Sequence, residues 1–233
     1  GFIRRRLCGI LPEQPGCCAD GGVTLEEKRI RLAHGDGGWA THQLIHQVFQ
    51  PILDNPGLRL AEDSTVLSLP GPGRLAMSTD TFVVQPAFFP GGDLGRLAVC
   101  GTVNDLAVAG ARPLWLTAGF VIEEGYLLED LQQLVDSMAR AAREANVWIV
   151  AADTKVVGRG QIDGCFINTA GVGLVRPGRA MGTHAIRPGQ VIMVSGGIAE
   201  HGVAVLSARA GLDFETPVVS DVAPLNGLID AVM

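Results

Sequence analysis

The stretch CGTVNDLAVAG, residues 100–110, sets an amide and a carboxylate, Asn104 and Asp105, side by side in an otherwise small and apolar run. The run reads as part of a helix over residues 93–109. A buried carboxylate without a partner is strongly disfavoured or takes up a proton, so a core helix has no use for the pair. No turn signal stands beside Asp105 to make it a cap or loop residue. The pair therefore points to chemistry.

Working outward, three more aspartates stand at the ends of apolar segments. Asp63 precedes a strand expected at 65–69, and Asp80 follows one expected at 74–78. Asp153 caps the buried strand expected at 147–151, with Lys155 two residues on. Carboxylates that converge repel unless a cation lies among them. Hard oxygen ligands suit magnesium, which completes its shell with phosphate oxygens and waters. Asp63, Asp80, Asp105 and Asp153 are therefore the candidate metal ligands. The loop HGDGG (34–38) sits between a short strand expected at 29–33 and an amphipathic helix expected at 39–53. Its backbone N–H groups could cradle phosphate. No G-x-x-x-x-G-K-[ST] run exists, and GPGRLA (71–76) lies between two strands and is set aside.

Further strands are expected at 113–122 and 165–175, with a helix at 127–145. The segment 176–190, rich in Gly, Pro and Arg, reads as a domain boundary. Beyond it come a strand at 191–195, a helix near 202–210 and another after Pro224. Strands alternating with helices give an α+β or α/β class. Residues 1–24 read as a disordered extension, 25–176 as an N-terminal domain and 177–233 as the beginning of a second, incomplete one.

The bulk composition sets limits. In 233 residues, 47% are hydrophobic and 18% charged, which supports a packed core and argues against disorder. A net charge of -6 argues against a nucleic-acid surface. No apolar run is long enough to suggest a membrane span. Five cysteines without a C-x-x-C pair give no zinc pattern. Cys100 and Cys165 read as core residues, and a reducing cytoplasm is the expected compartment. His42 and His46 have metal spacing but no third ligand nearby, so a solvated or packed face is expected. A G-x-S-x-G nucleophile elbow is absent.

LAHGDGG, STDTFVV, FFPGGDLGRLAVCGTVNDLAVAGARP, GFVIEEG, ADTKVV and FINTAGVG, in this order, resemble the HypE family of nickel–iron hydrogenase maturation factors. That family belongs to the superfamily of aminoimidazole ribonucleotide synthetase. The resemblance implies an N-terminal domain that dimerises through a shared, barrel-like sheet and binds ATP with Mg2+. It implies cofactor contacts from His34, Gly35, Gly37, Gly38, Asp80, Asn104, Asp105, Thr154 and Lys155. Lys155 and Asp153 would act at the phosphates. The implied reaction is ATP-dependent dehydration of an S-carbamoyl group on a C-terminal cysteine to a thiocyanate. The carbamoyltransferase HypF would supply the carbamoyl group, and the HypC–HypD scaffold would receive the cyanide.

Departures from the family pattern are visible. Asp36 replaces the serine of HGSGG, Ala152 the glycine of GDTKV, and Glu200 the aspartate of GDHG. The family's terminal cysteine has no counterpart, since the sequence stops at Met233, so it reads as a fragment unable to complete the reaction alone. A small-molecule kinase of the same superfamily and a non-catalytic dimeric partner-binding module are the alternatives.

Overall fold

A computed structural model describes residues 29–35, 38–54, 74–175, 181, 186–211 and 216–233. Asp36, Gly37, Asp63, the strand expected at 65–69 and residues 1–24 lie outside them.

A four-stranded mixed sheet organises the chain. Its strands are β1 (Arg74–Phe82), β4 (Ala111–Glu123), β5 (Trp148–Val157) and β6 (Cys165–Val175), in the order β1-β6-β4-β5. β6 runs antiparallel to both β1 and β4, and β4 and β5 are parallel. Between β4 and β5 the chain crosses through α4 (Leu128–Ala145), as a parallel pair requires. A two-residue hairpin, β2 (Phe88–Phe89) with β3 (Gly92–Asp93), leads into α3 (Leu94–Val108).

α3 is apolar nearly all round because it lies between the sheet and α4, burying Leu94, Ala98, Val99, Cys100, Val103 and Leu106. Asp93 starts it by accepting the Arg96 N–H at 2.8 Å. α4 is amphipathic, with Leu131, Leu134, Val135 and Met138 fully buried. It ends at Asn146, whose left-handed φ of 55° suits the cap. The two helices touch at Gly95: an added Cβ there would overlap the carbonyl oxygen of Leu134.

The helix expected at 39–53 forms in three pieces: α1 (Trp39–Leu44), a π-helical turn (Ile45–Phe49) and α2 (Gln50–Leu53). Pro51, which has no N–H to bond one turn back, accounts for the widened turn. The predicted apolar face is kept. Leu44, Val48 and Phe49 are buried, and the Phe49 ring meets Phe120 edge-on at 5.1 Å.

Two expected strands are corrected. At 29–33, Arg29 makes a single bridge to Leu127 and the chain then turns through a 3-10 helix (Leu32–Gly35). At 191–195, no strand forms: among the described residues no neighbour pairs with this segment, and Val191, Ile192, Met193 and Val194 are each more than 60% exposed. Downstream are α5 (Glu200–Ala210) and α6 (Asn226–Val232).

Candidate functional site

The helices cover one face of the sheet, where Leu116, Ala118, Phe120 and Ile122 of β4 and Ile167 and Thr169 of β6 are buried. Side chains alternate between faces, so Asp80, paired in register with Thr169, points to the helix side. There it meets Asp105 of α3. The two side chains are close enough to share a hydrogen bond, and Ser78 donates its hydroxyl to Asp105 Oδ2 at 2.8 Å. Partial desolvation comes first in raising the Asp80 carboxyl above its ordinary value. The charge of Asp105 and the shared hydrogen bond add to it. Asp80 is still exposed overall, so the meaningful point is the geometry: two carboxylates crowd one open spot.

Small residues make that approach possible. A Cβ at Gly101 would sit 2.6 Å from the Phe82 ring, and one at Gly171 2.8 Å from both Leu106 and Thr102. A buried hydroxyl pair then fixes the helix to the sheet. Thr102 and Thr169 are 2.6 Å apart, and Thr169 donates to the Ala98 carbonyl at 2.9 Å.

The other expected site residues fall elsewhere. Asp153 lies inside β5, not at its end, and pairs in register with Gly119, while Lys155 pairs with Val121. Both are exposed on the face opposite Asp80. β5 is also three strand spacings from β1, roughly 14 Å. One chain alone therefore does not unite Asp153 with Asp80 and Asp105. Thr154 is half-buried on the helix side beside Phe120. His34 is buried in the 3-10 turn, where its Nδ1 accepts the Arg31 N–H at 2.9 Å. Gly35 ends that turn, and Gly38 caps α1. Among the described residues no group of three or more His, Cys, Asp or Glu is placed to hold a metal ion.

Asn104 has partners within the chain. Its Nδ2 donates to the Ala223 carbonyl at 3.0 Å, and its Oδ1 accepts the Leu225 N–H at 2.7 Å. Both ends of the amide are thus engaged by the chain. Ser78 is the residue the sequence reading missed. Its signal was its spacing, two residues before Asp80 on the same strand face. His42 and His46 are exposed, and His46 pairs with Gln50.

A groove of about 580 Å³ lies away from the carboxylate pair, lined in part by Arg29, Glu123, Tyr126 and Arg159. Glu123 accepts the N–H groups of Gly160 at 2.6 Å and Gly164 at 3.1 Å, closing the β5–β6 connection. These bonds hold its carboxyl below the ordinary carboxylate range. A depressed native pKa stabilises the fold above the unfolded value, and that stabilisation is lost as pH falls through the native one. Glu123→Gln is therefore expected to lower stability at neutral pH and to flatten its loss on acidification, measured by urea unfolding from pH 7 to pH 3. Cys100 and Cys165 are buried free thiols, pushed by burial up to about 11 and about 12. Both are inert core residues at neutral pH.

The sequence profile of the AIR synthase related protein, N-terminal domain, matches residues 61–175. Carbamoyl dehydratase HypE of Rhizobium leguminosarum bv. viciae is 53% identical over 201 residues, covering 86% of this chain and 57% of that protein. The chain is similar to HypE proteins over most of its own length. A crystal structure of the maturation protein HypE in complex with ATP superposes with a TM-score of 0.84 at 48% identity, covering 87% of this chain and 60% of that one. HypE in a HypE–HypF complex superposes at 0.68 with 53% identity, covering 82% and 61%. The chain thus spans about three-fifths of the length of these HypE proteins, and the mixed sheet with its helices on one face is the HypE fold. No described helix is long and apolar enough to cross a membrane.

Proposed function

We propose that this chain carries the ATP-binding part of a carbamoyl dehydratase of hydrogenase maturation, with Asp80 and Asp105 as the acidic centre of the nucleotide site. The observation that carries this reading is the meeting of the two carboxylates at one open spot, supported by Ser78. The relatives' names and the ATP complex of a 48% identical structure support it. Two adjacent carboxylates that repel are a donor set suited to Mg2+, with Asp80 and Asp105 as its holders and Asp63 as a third candidate. Bound there, Mg2+ would neutralise charge on the transferring phosphate. ATP would phosphorylate the carbamoyl oxygen of an S-carbamoyl cysteine, and loss of that phosphate with the amide protons would leave a thiocyanate, ADP and phosphate. HypF is the expected carbamoyl donor, by analogy with the HypE–HypF complex, and HypC–HypD the expected acceptor of the cyanide.

A second copy of this chain is the occupant we infer for the open sheet face. Met77 is 77% exposed there and Trp148 52%, and the register lines up Leu75, Met77, Trp115, Val172 and Leu174 on the same side. So large an apolar surface on a strand layer marks an interface. Asp153 and Lys155 lie on that face, so any part they take in phosphate binding belongs to the paired copies. Met77→Glu is expected to give a monomer in light scattering, while wild type runs as a dimer; a monomeric wild type sinks the inference. For the nucleotide, calorimetry is expected to show ATP binding that requires Mg2+. Binding that persists unchanged with Asp80 and Asp105 both replaced by Asn would refute the site.

A further inference from the structure

Residues 220–226 are held to earlier parts of the chain by a row of specific bonds. The Ser220 N–H donates to the Pro90 carbonyl at 2.8 Å, and its hydroxyl lies 3.0 Å from His201 Nδ1. Arg96, paired with Glu144, donates from Nε to the Val222 carbonyl at 2.9 Å. Asn104 clasps Ala223 and Leu225, and Asn226 donates to the Ala145 carbonyl at 2.9 Å. Gly91 is bare where the strap crosses: a Cβ there would sit 2.6 Å from the Ser220 nitrogen. Ser220 is itself buried.

The row ends next to the acidic centre. Asn104 and Asp105 are consecutive on α3, so one faces the strap while the other faces β1. A helix fixes their relative direction. Thr102 pins the same turn to β6. The azimuth of Asp105 toward Asp80 is therefore set between two grips, one on the sheet and one on the strap.

We propose that Asn104 is a positioning residue that couples docking of residues 220–226 to cation–nucleotide binding at Asp80 and Asp105. The coupling rests on the nucleotide reading above; the docking does not. Cation–nucleotide binding tightens the strap, and release of the strap weakens binding.

The test uses the whole chain, with hydrogen exchange over residues 220–226 and Mn2+ binding in the presence of ATP read by electron paramagnetic resonance. Asn104→Ala breaks the clasp at α3. Ser220→Ala removes the hydroxyl shared by His201 and the Val222 N–H, and so loosens the strap without touching Asn104. Each is expected to speed exchange across the strap by on the order of tenfold, and each to weaken Mn2+–ATP binding severalfold. Unchanged exchange in Asn104→Ala overturns the clasp. Faster exchange with unchanged binding in both variants overturns the coupling. Weakened binding in Asn104→Ala alone makes Asn104 a direct ligand and also overturns it. A wild-type chain that binds no Mn2+–ATP fails the nucleotide reading and the coupling with it, and the exchange arm still decides the clasp. If Asn104→Ala does not fold, Asn104→Ser is read in the same way.

Discussion

Asp105→Asn is expected to weaken Mg2+–ATP binding by about 100-fold while making the ligand-free chain more stable at neutral pH. The loss follows from removing half of a two-carboxylate donor set; even groups that only support metal ligands cost about 10- to 100-fold when replaced. The gain in stability has its own sign argument. Desolvation first, and then the charge of Asp105, raise the Asp80 pKa in the folded chain, so only between the ordinary carboxylate value and the raised one does the native state hold a proton that the unfolded chain has released. Stability is then lost as pH rises from the ordinary carboxylate value through the raised one, and the repulsion persists above it. An amide at position 105 removes the repelling charge and still accepts the Ser78 hydroxyl. Calorimetry with Mg2+ and ATP, alongside urea unfolding at pH 4 and pH 7, reads both effects. A residue with a merely structural role would move binding and stability downward together. The expected pattern is opposite signs, and parallel losses would remove Asp105 from the site.

Gly95→Ala is expected to be the most damaging single methyl among the described glycines, at roughly 3 kcal/mol or more. The added carbon would overlap backbone, the Leu134 carbonyl, with Met138 close behind. Backbone in the middle of a buried helix has no rotamer with which to yield. α3 would have to move off α4, and α3 carries Asp105. Urea unfolding gives the cost directly. An alanine variant within 1 kcal/mol of wild type, as ordinary surface changes are, would show that the helix pair is looser than its contacts indicate. The alanine variant at Gly101 tests the neighbouring contact differently. Its methyl would press on the Phe82 ring, a side chain able to turn, so the stability cost is smaller and the separation of Asp105 from Asp80 becomes the main effect.

β4 and β6 were legible because they are long, largely apolar runs between clear breaks, whereas β1 was read four residues short: Asp80, expected just past the strand, lies inside it, because Ser78, Thr79, Asp80 and Thr81 interrupt the apolar pattern. The strand expected at 165–175 forms with those same bounds, and the helices on α3 and α4 differ from expectation by a residue or so. β5 was read too short because Asp153 and Lys155 looked like the end of a strand. They are in fact outward-facing residues of an edge strand, where charge is tolerated. That error matters most for the site. Which face a residue takes depends on register, and a β-bulge between Leu116 and Thr117 shifts it against β5. Nothing local in the sequence announces that shift. Asp80 and Asp105 were legible as acidic residues in apolar settings, and their meeting needed the fold. The bonds of Asn104 were not legible because its partners, Ala223 and Leu225, lie about 120 residues away in sequence and offer only backbone atoms. Backbone partners leave no trace in side-chain identity.

The bare run Val191-Ile192-Met193-Val194 has a practical outcome for the molecule in solution. Four consecutive large apolar residues without charge, Pro or Gly, and with unspent main-chain donors and acceptors, form a template on which other molecules can add strands. Concentrated solutions of this chain will therefore tend toward self-association at that point, with growing turbidity, unless some polypeptide lies alongside to occupy those hydrogen bonds.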